Sequence, residues 1–512
     1  MTKIPFRLKI KRLLDKFLPP GNRLRSKLAA GRLKYRMTDE AAYSRWMNRS
    51  ERPQKFLSQT GDPLISVVVP TFNTKENYLV ELVASLKAQT YPNWQLILAD
   101  GSTEDEAANR CREIAASDSR IKYLRLGQNF GIAGNTNSGI KEAKGEFIAF
   151  LDHDDTLAPF ALEEVVKALR GQPELDVFYS DEDKLTADGR GRLNPLFKPD
   201  WSRDLFLAVN YMAHFVVVRA DLVREVGAIR PGYDGAQDYD FLLRVFDRTN
   251  RIHHVSRMSY HWRIIEGSTA KYPSEKNYTA ASRLRALDDY LSRNSLEAKF
   301  VQDDDPALVN RIRYSSPAGS KLRVVVFEDK PIPAWLEHQI KAANIKLSQA
   351  DSDFTLFINP ELEAKDQGWL RELVGVALQP GRGLVGGLIQ NLEGCVLEAG
   401  YCLQNGRPEA LFEGMRLNQW TYTGMVSWPR NLVVPPINCC LIRTELIPKG
   451  LTDPAAIALK LHTQGLLNVF WPFAVLTAAP AALVRPSLKS DLSDPFLNPN
   501  LELSRGRPGL RL

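Results

Sequence analysis

The sequence has no metal-binding cysteine pattern. Its five cysteines, Cys111, Cys395, Cys402, Cys439 and Cys440, show no zinc-like spacing, and the adjacent pair is poorly placed to bridge itself. A reducing compartment is the simplest expectation. No sustained apolar segment follows the basic start, so no signal peptide is expected. The single long apolar run, Leu466–Val484, is interrupted by Pro472 and Pro480 and carries Asn468. It reads as a buried strand plus loop and not as a membrane span. A Ser/His/Asp or Cys/His constellation is also missing, which removes the usual covalent hydrolases.

What is present begins with an uneven charge. The chain carries a formal +7 over 512 residues, yet residues 1–36 hold twelve Lys or Arg against Asp15 alone. That arm accounts for +11 and leaves the rest near −4. Ile4, Leu8, Leu13, Leu14, Phe17 and Leu18 give it some helical amphipathicity before Pro19-Pro20-Gly21. It reads either as a solvated tail or as a peripheral foot on an anionic membrane. No RNP-like or aromatic-interleaved motif points to nucleic acid. The length suggests about three domains. A short helix over Glu40–Asn48 and a linker follow the arm.

From Pro63 strands and helices alternate. Ile65–Val69, Gln95–Ala99, Ile121–Leu126, Phe147–Leu151 and Asp176–Tyr179 read as strands. Helices are expected over Asn77–Gln89, from a Ser102/Asp105 capping box to about Ala116, and over Pro159–Arg170. The stretch GQNFGIAGNTNSG reads as a loop, with a helix after it. Such alternation predicts an α/β fold with a Rossmann-like, mostly parallel sheet, whose ligand crevice lies at the carboxyl strand ends. Thr71, Asn73, Asp100, Asp152 and Asp154 all fall there.

EFIAFLDHDD is the pivotal motif. On a strand, Asp152 and Asp154 leave the sheet edge on one face, as hard-oxygen ligands for Mg2+ or Mn2+. A solvated acidic turn is the plainer alternative for such a short motif. Farther on, Asp181-Glu182-Asp183 reads as the start of a polar loop and Phe197–Trp201 as an extended segment. His214–Val218 reads as a strand and Arg219–Val226 as a helix. In GAQDYDFLLRVF, Asp238 is a candidate general base and Asp240 a helix cap. Of His253, His254 and His261, the last is the candidate metal ligand, just before Gly267-Ser268-Thr269.

The second half echoes the first. LRVVVFED (322–329), DFTLFINPEL (353–362), CCLIRTELI (439–447) and IALKLHTQG (457–465) repeat the apolar framework. Asn359 falls where Asp152 stands, Glu361 on Asp154, Leu362 on Asp155, and Pro454 on Asp238. A packed but catalytically idle copy is expected.

With these residues in hand, 61–270 resembles glycosyltransferase family 2, whose members have the GT-A fold. The matching pieces are SVVVPTFN, LADGSTED, NFGIAGNTNSG, FLDHDD, QDYD and YHWR. DEAAYSRWM, YSDEDK and FKPDW resemble the subgroup that builds bacterial surface polysaccharides such as O-antigen. The resemblance implies an inverting transfer from a nucleoside-diphosphate sugar to a glycan or lipid-linked acceptor. Pro70, Thr71, Asn73, Asp100, Asn129, Gly131, Asn137 and Asp152 would bind the nucleotide sugar. Asp152, Asp154 and His261 would hold Mg2+ or Mn2+, and Asp238 would be the base. Ala99 stands where the family commonly has a first acid, and Gln237 where it often has Glu. The processive Q-x-x-R-W motif is absent, which implies addition of one or a few sugars.

The domain expectation is an arm and short helix over 1–60, a catalytic GT-A domain over 61–300, a degenerate copy over 315–488 and a tail over 489–512. The location expected is cytoplasmic, with peripheral contact to the inner face of the membrane. A nucleotidyltransferase would need a basic Gly-rich loop after the first strand, which Pro70–Lys75 does not supply. A non-catalytic sugar-nucleotide-binding scaffold is the other alternative.

Overall fold

Alternate residues of one strand feed two cores. In β1 (Ile65–Thr71), Ile65, Val67 and Val69 pack on one face with Leu79, Leu82 and Leu86, while Val68 joins Ile97 and Ile148 on the other. A strand buried on both faces is the signature of a sheet covered by helices on each side. The computed structural model describes residues 39–51, 56–265, 277–301, 309–364, 366–479, 482–504 and 506–511. The basic arm 1–36 and the Gly267-Ser268-Thr269 motif lie outside the described residues.

In chain order the first lobe contains α1 (Glu40–Ser50), β1, α2 (Glu76–Lys87), β2 (Trp94–Asp100), α3 (Asp105–Ala116) and β3 (Ile121–Arg125). Next come α4 (Gly131–Glu142), β4 (Phe147–Phe150), β5 (Thr156–Leu157), α5 (Ala161–Gly171), β6 (Val177–Leu185) and β7 (Arg192–Leu196). The lobe continues through α6 (Arg203–Ala208), β8 (Val216–Arg219), α7 (Ala220–Glu225), α8 (Gln237–Phe246), β9 (Ile252–Arg263) and α9 (Asn277–Arg293). The sheet order is β3-β2-β1-β4-β8-β6-β9-β5, with β7 beside β6. The expected parallel arrangement holds for β3-β2-β1-β4. Beyond it β8 runs antiparallel to both β4 and β6, so the sheet is mixed.

Three local expectations change. The Gly/Asn-rich stretch is mostly helix: Gly131, at φ 73°, starts α4 and the chain then coils to Glu142. Asp181-Glu182-Asp183 does not start a loop, because β6 runs through it to Leu185 with all three acids buried. Ser102 does not cap α3; its hydroxyl turns to Asp100, and Asn73 Oδ1 takes the N–H groups of Thr103 and Glu104 instead.

The second lobe repeats the five central strands of the first. Lys321–Val326 runs parallel to Phe354–Ile358, which pairs antiparallel with Cys439–Arg443. That strand is antiparallel to Arg382–Gln390, itself parallel to Leu467–Thr477. The same sequence of senses links β1, β4, β8, β6 and β9. Even the register agrees, since Phe147 pairs with Arg219 and Phe354 with Arg443. The apolar run Leu466–Val484 supplies the strand Leu467–Thr477, as its prolines and Asn468 implied.

One apolar cluster crosses both lobes, from Val68 through Phe206 and Tyr314 to Trp471. The expected tail 489–512 is in large part ordered: Leu501–Ser504 and Arg507–Leu510 form a hairpin whose leucines pack with Tyr43, Trp46 and Met258. Just before it, Asn498 Nδ2 donates to both carboxylate oxygens of Asp181, at 3.1 and 2.9 Å, and to Lys198 O.

Candidate active site

The sheet turns the end of β4 and the start of α8 toward one pocket. Pro70, Thr136, Asp152, Ala213, Gln237 and Asp238 line it, with Ile132, Phe150 and Phe241 as apolar wall. Asp152 lies two residues past the end of β4 and its side chain is 45% exposed. Asp238 sits in the first turn of α8, where an acid is favoured by the helix dipole. Its Oδ2 accepts from Asn210 Nδ2 at 2.8 Å. Burial pushes the Asp238 carboxyl above the usual range, with His214 pulling the other way. A carboxylate of raised basicity facing a half-open pocket is suited to take a proton from a hydroxyl.

The acids do not gather as the sequence implied. Asp152 is grouped with Asp155 and His214, whose ligand atoms lie within 4.8 Å of one another. Asp154 is outside that group; its backbone carbonyl accepts from Arg263 Nε at 2.6 Å. Burial raises the Asp154 carboxyl, with nearby Asp152 adding to the effect and His153 opposing it. His261 is outside as well, because its Nδ1 faces Asp183 Oδ1 at 2.7 Å on the neighbouring strand. Two carboxylates and an imidazole form a donor set that suits a divalent ion such as Mn2+ or Mg2+. The YHWR segment builds the floor: Tyr260 OH donates to Asp155 Oδ2 at 2.5 Å, and Arg263 N donates to Oδ1 at 2.7 Å. Desolvation, reinforced by Asp154 and Asp152, raises the buried Asp155 carboxyl well above the ordinary range.

Asp100 is at its expected strand end but fully spent. Its Oδ1 accepts from Thr71 Oγ1, Ser102 N and Ser102 Oγ, and its Oδ2 from Tyr123 OH and Arg125 Nη1. With no exposed surface and five donors, that carboxylate has no lone pair left for a nucleobase. Thr71 is consumed by the same knot. Asn129 Oδ1 caps Gly131 N and holds Asn135 Nδ2, and a Cβ on Gly101 would meet that Nδ2 at 2.7 Å. The loops therefore close around a glycine. Asn137 exchanges two hydrogen bonds with the backbone of Ile229. Asn73, at φ 45°, ties β1 to the start of α3. Of the expected nucleotide-sugar set, Pro70 and Asp152 line the pocket. Gly131 opens α4, and Asn129, Asn137, Thr71, Asp100 and Asn73 are engaged in internal bonds and do not line it. Asp240 is not a cap: Arg230 Nε and Arg244 Nη2 each reach its Oδ2 at 3.0 Å.

Sequence reasoning missed a buried ionic layer beneath the pocket. Lys198, with no exposed surface, donates to Glu182 Oε2 at 3.0 Å and to the carbonyls of Met212 and His214. It thus fixes the segment that carries both Asn210 and His214. Burial opposes charge on His214, but Asp152 and Glu182 outweigh it and bring the imidazole up to about 9. Glu182 is held well below the ordinary range despite its burial, by Lys198 and then Lys184. On the opposite face of β6, His254 bridges Asp181 at 2.9 Å and Asp200 at 3.1 Å. The FKPDW and YSDEDK motifs are thereby explained as one interlocked set. The available signal was the internal echo, in which His214 maps to Asn438 just as Asp152 maps to Asn359.

Residues 66–227 match the family model described as Glycosyl transferase family 2. The chain is 30% identical to "Uncharacterized protein y4gI" of Sinorhizobium fredii, over 92% of this chain and 61% of the relative. It is 32% identical to "O-antigen biosynthesis protein RfbC" of Myxococcus xanthus, over 88% of this chain and 41% of the relative. The chain therefore spans less than two thirds of the length of either. Among solved structures it is similar to S. aureus TarS 1-349 in complex with UDP-GlcNAc, at 23% identity and a TM-score of 0.36, over 44% of this chain and 66% of that one.

Proposed function

Because residues 66–227 form a glycosyl transferase family 2 domain, we propose that the chain transfers a sugar, with inversion, from a nucleoside-diphosphate sugar to a glycan or lipid-linked acceptor. The product belongs to a bacterial surface polysaccharide; the O-antigen role in the name of the Myxococcus relative favours that class. The observation that carries the reading is the shared pocket of Asp152 and Asp238, one acid from a strand end and one from a helix start. Asp238 takes the proton of the attacking hydroxyl, and Asn210 keeps its carboxylate aimed. The apolar wall of Ile132, Phe150 and Phe241 limits water at the reacting carbon. A bound Mg2+ or Mn2+ would supply charge neutralisation at the departing diphosphate, and Asp152, Asp155 and His214 are the residues placed to hold it. The basic arm 1–36 serves as the peripheral foot on an anionic membrane, which puts the protein at the cytoplasmic face where lipid-linked acceptors are met. No described helix is long and apolar enough to cross a membrane. The second lobe acts as a scaffold, since its equivalents of Asp152 and Asp238 are Asn359 and Pro454.

The test is a panel of sugar nucleotides screened for thermal stabilisation of the chain with and without Mn2+. Binders are then incubated with lipid-linked acceptor, and nucleoside diphosphate is measured. Release dependent on both acceptor and Asp238 is expected. If no donor stabilises the protein and none is consumed, the reading fails.

A further inference from the structure

Both nitrogens of the His214 ring face carboxylates. Nδ1 is 3.4 Å from Glu182 Oε2, and Nε2 is 3.8 Å from Asp152 Oδ2. The ring is clamped between Tyr260, stacked at 4.5 Å, and Trp262 at 4.7 Å. Its backbone carbonyl is held by Lys198, which also fixes Glu182. The ring is thus fixed in rotation by its stack and in translation by its main chain. A histidine whose far nitrogen is backed by a carboxylate and whose near nitrogen points at a carboxylate in a pocket is the arrangement that ligating histidines adopt. The 3.8 Å gap to Asp152 is within what two bonds of about 2.1 Å to a shared ion can span.

The second lobe supplies an internal comparison. The shared register places Asn359 at the position of Asp152 and Asn438 at that of His214, five residues from the paired Phe and Arg in each lobe. There Asn359 Nδ2 donates to Asn438 Oδ1 at 3.0 Å. A buried carboxylate from a different strand position lies beside that pair: Glu398 Oε2 accepts from Asn438 Nδ2 at 3.1 Å. Where the first lobe has an acid and a histidine, the copy therefore has two neutral amides hydrogen-bonded to each other. The two positions thus face each other in both lobes, as acid and imidazole in the first and as a pair of amides in the second.

We infer that His214 Nε2 is a ligand of the divalent cation, beside Asp152, with Glu182 orienting the ring from its other nitrogen. The assignment rests on the glycosyltransferase reading for the presence of a cation site, but it displaces His261 and Asp154 as ligands. It also confines cation binding to the first lobe.

Mn2+ alone, titrated into the full chain and followed by the loss of free-ion electron paramagnetic resonance signal, tests this without any turnover. The expected result is one site per chain, weakened at least ten-fold in His214→Gln and unchanged in His261→Gln. His214→Asp, which returns a ligating oxygen, recovers most of the loss and serves as the second variant should the glutamine form fold poorly. Mn2+ affinity within two-fold of the parent in both His214 variants overturns the inference, as does a parent chain that binds no Mn2+. If Mn2+ binds as expected but no sugar nucleotide is consumed, the proposed function fails while this assignment stands.

Discussion

Arg382 of the second lobe closes on Asp204 of the first, with Nε and Nη2 at 3.1 and 2.9 Å from the same Oδ1, and neither side chain is more than 2% exposed. Asn431 Nδ2 takes the other oxygen at 2.7 Å, so the carboxylate is fully paired across the lobe boundary. Removing one partner strands a buried charge. Arg382→Ala should cost about 3–5 kcal/mol, read as a lower urea midpoint. Replacing both partners by apolar residues, Asp204→Leu with Arg382→Met, should cost far less than either single truncation.

Asp238→Asn should lower transfer by about 10²–10⁴, the usual share of a general base. Nucleoside-diphosphate affinity by calorimetry should stay within about two-fold, because the residue acts on the acceptor side. A variant that keeps most of its turnover would show that another group takes the proton.

The acidity of Asp238 gives a pH prediction with a definite sign. Burial favours the neutral carboxyl, so the group ionises above the ordinary carboxylate value of 3.8. The base is active only when ionised, and kcat/KM should therefore fall toward low pH along a limb lying above 3.8. Asn210 donates to the ionised form. Asn210→Ala removes that support and should move the limb to still higher pH. A limb that stays put in this variant would detach Asn210 from the base.

In the second lobe, Asn359→Ala leaves the carbonyl of Ala482 without its Asn359 donor and takes one of two donors from Asn438 Oδ1, which keeps Val484 N. Stability should fall by about 1–3 kcal/mol, the cost of a buried unsatisfied group. Transfer per folded molecule should not change, whereas Asp152→Ala should abolish it. Loss of transfer in the Asn359 variant at temperatures where it remains folded would give the second lobe a catalytic part.

The parts of this fold that were legible in the sequence share one property: their partners are near in the chain and apolar. The period-2 run of β1 and the Leu79, Leu82, Leu86 stripe of α2 declare their own structure. The misread segments are those whose reason lies far away. Asp181, Glu182 and Asp183 look like a solvated loop because three adjacent acids do not belong inside a sheet. Lys198, His214, His254, His261 and Arg192 neutralise them only after the chain has folded back. Asp240 looked like a helix cap for the same reason, since Arg230 was invisible as its partner. Topology alone placed Asp152 at the strand-end crevice, and the motif around Asp238, with the family resemblance, supplied the second acid; which histidine faced Asp152 depended on where β8 enters the sheet.

The hydrogen bonds from Asn498 to Asp181 bridge 317 positions of sequence. During synthesis the first lobe's strands emerge long before the residue that completes their ionic layer. Until Asn498 arrives, Asp181 must find its stabilisation from His254 and the Lys198 backbone N–H alone. The segment around Asn498 therefore acts as a closing stitch, and a nascent chain halted before it would hold an N-terminal lobe whose acid layer is still incompletely tied.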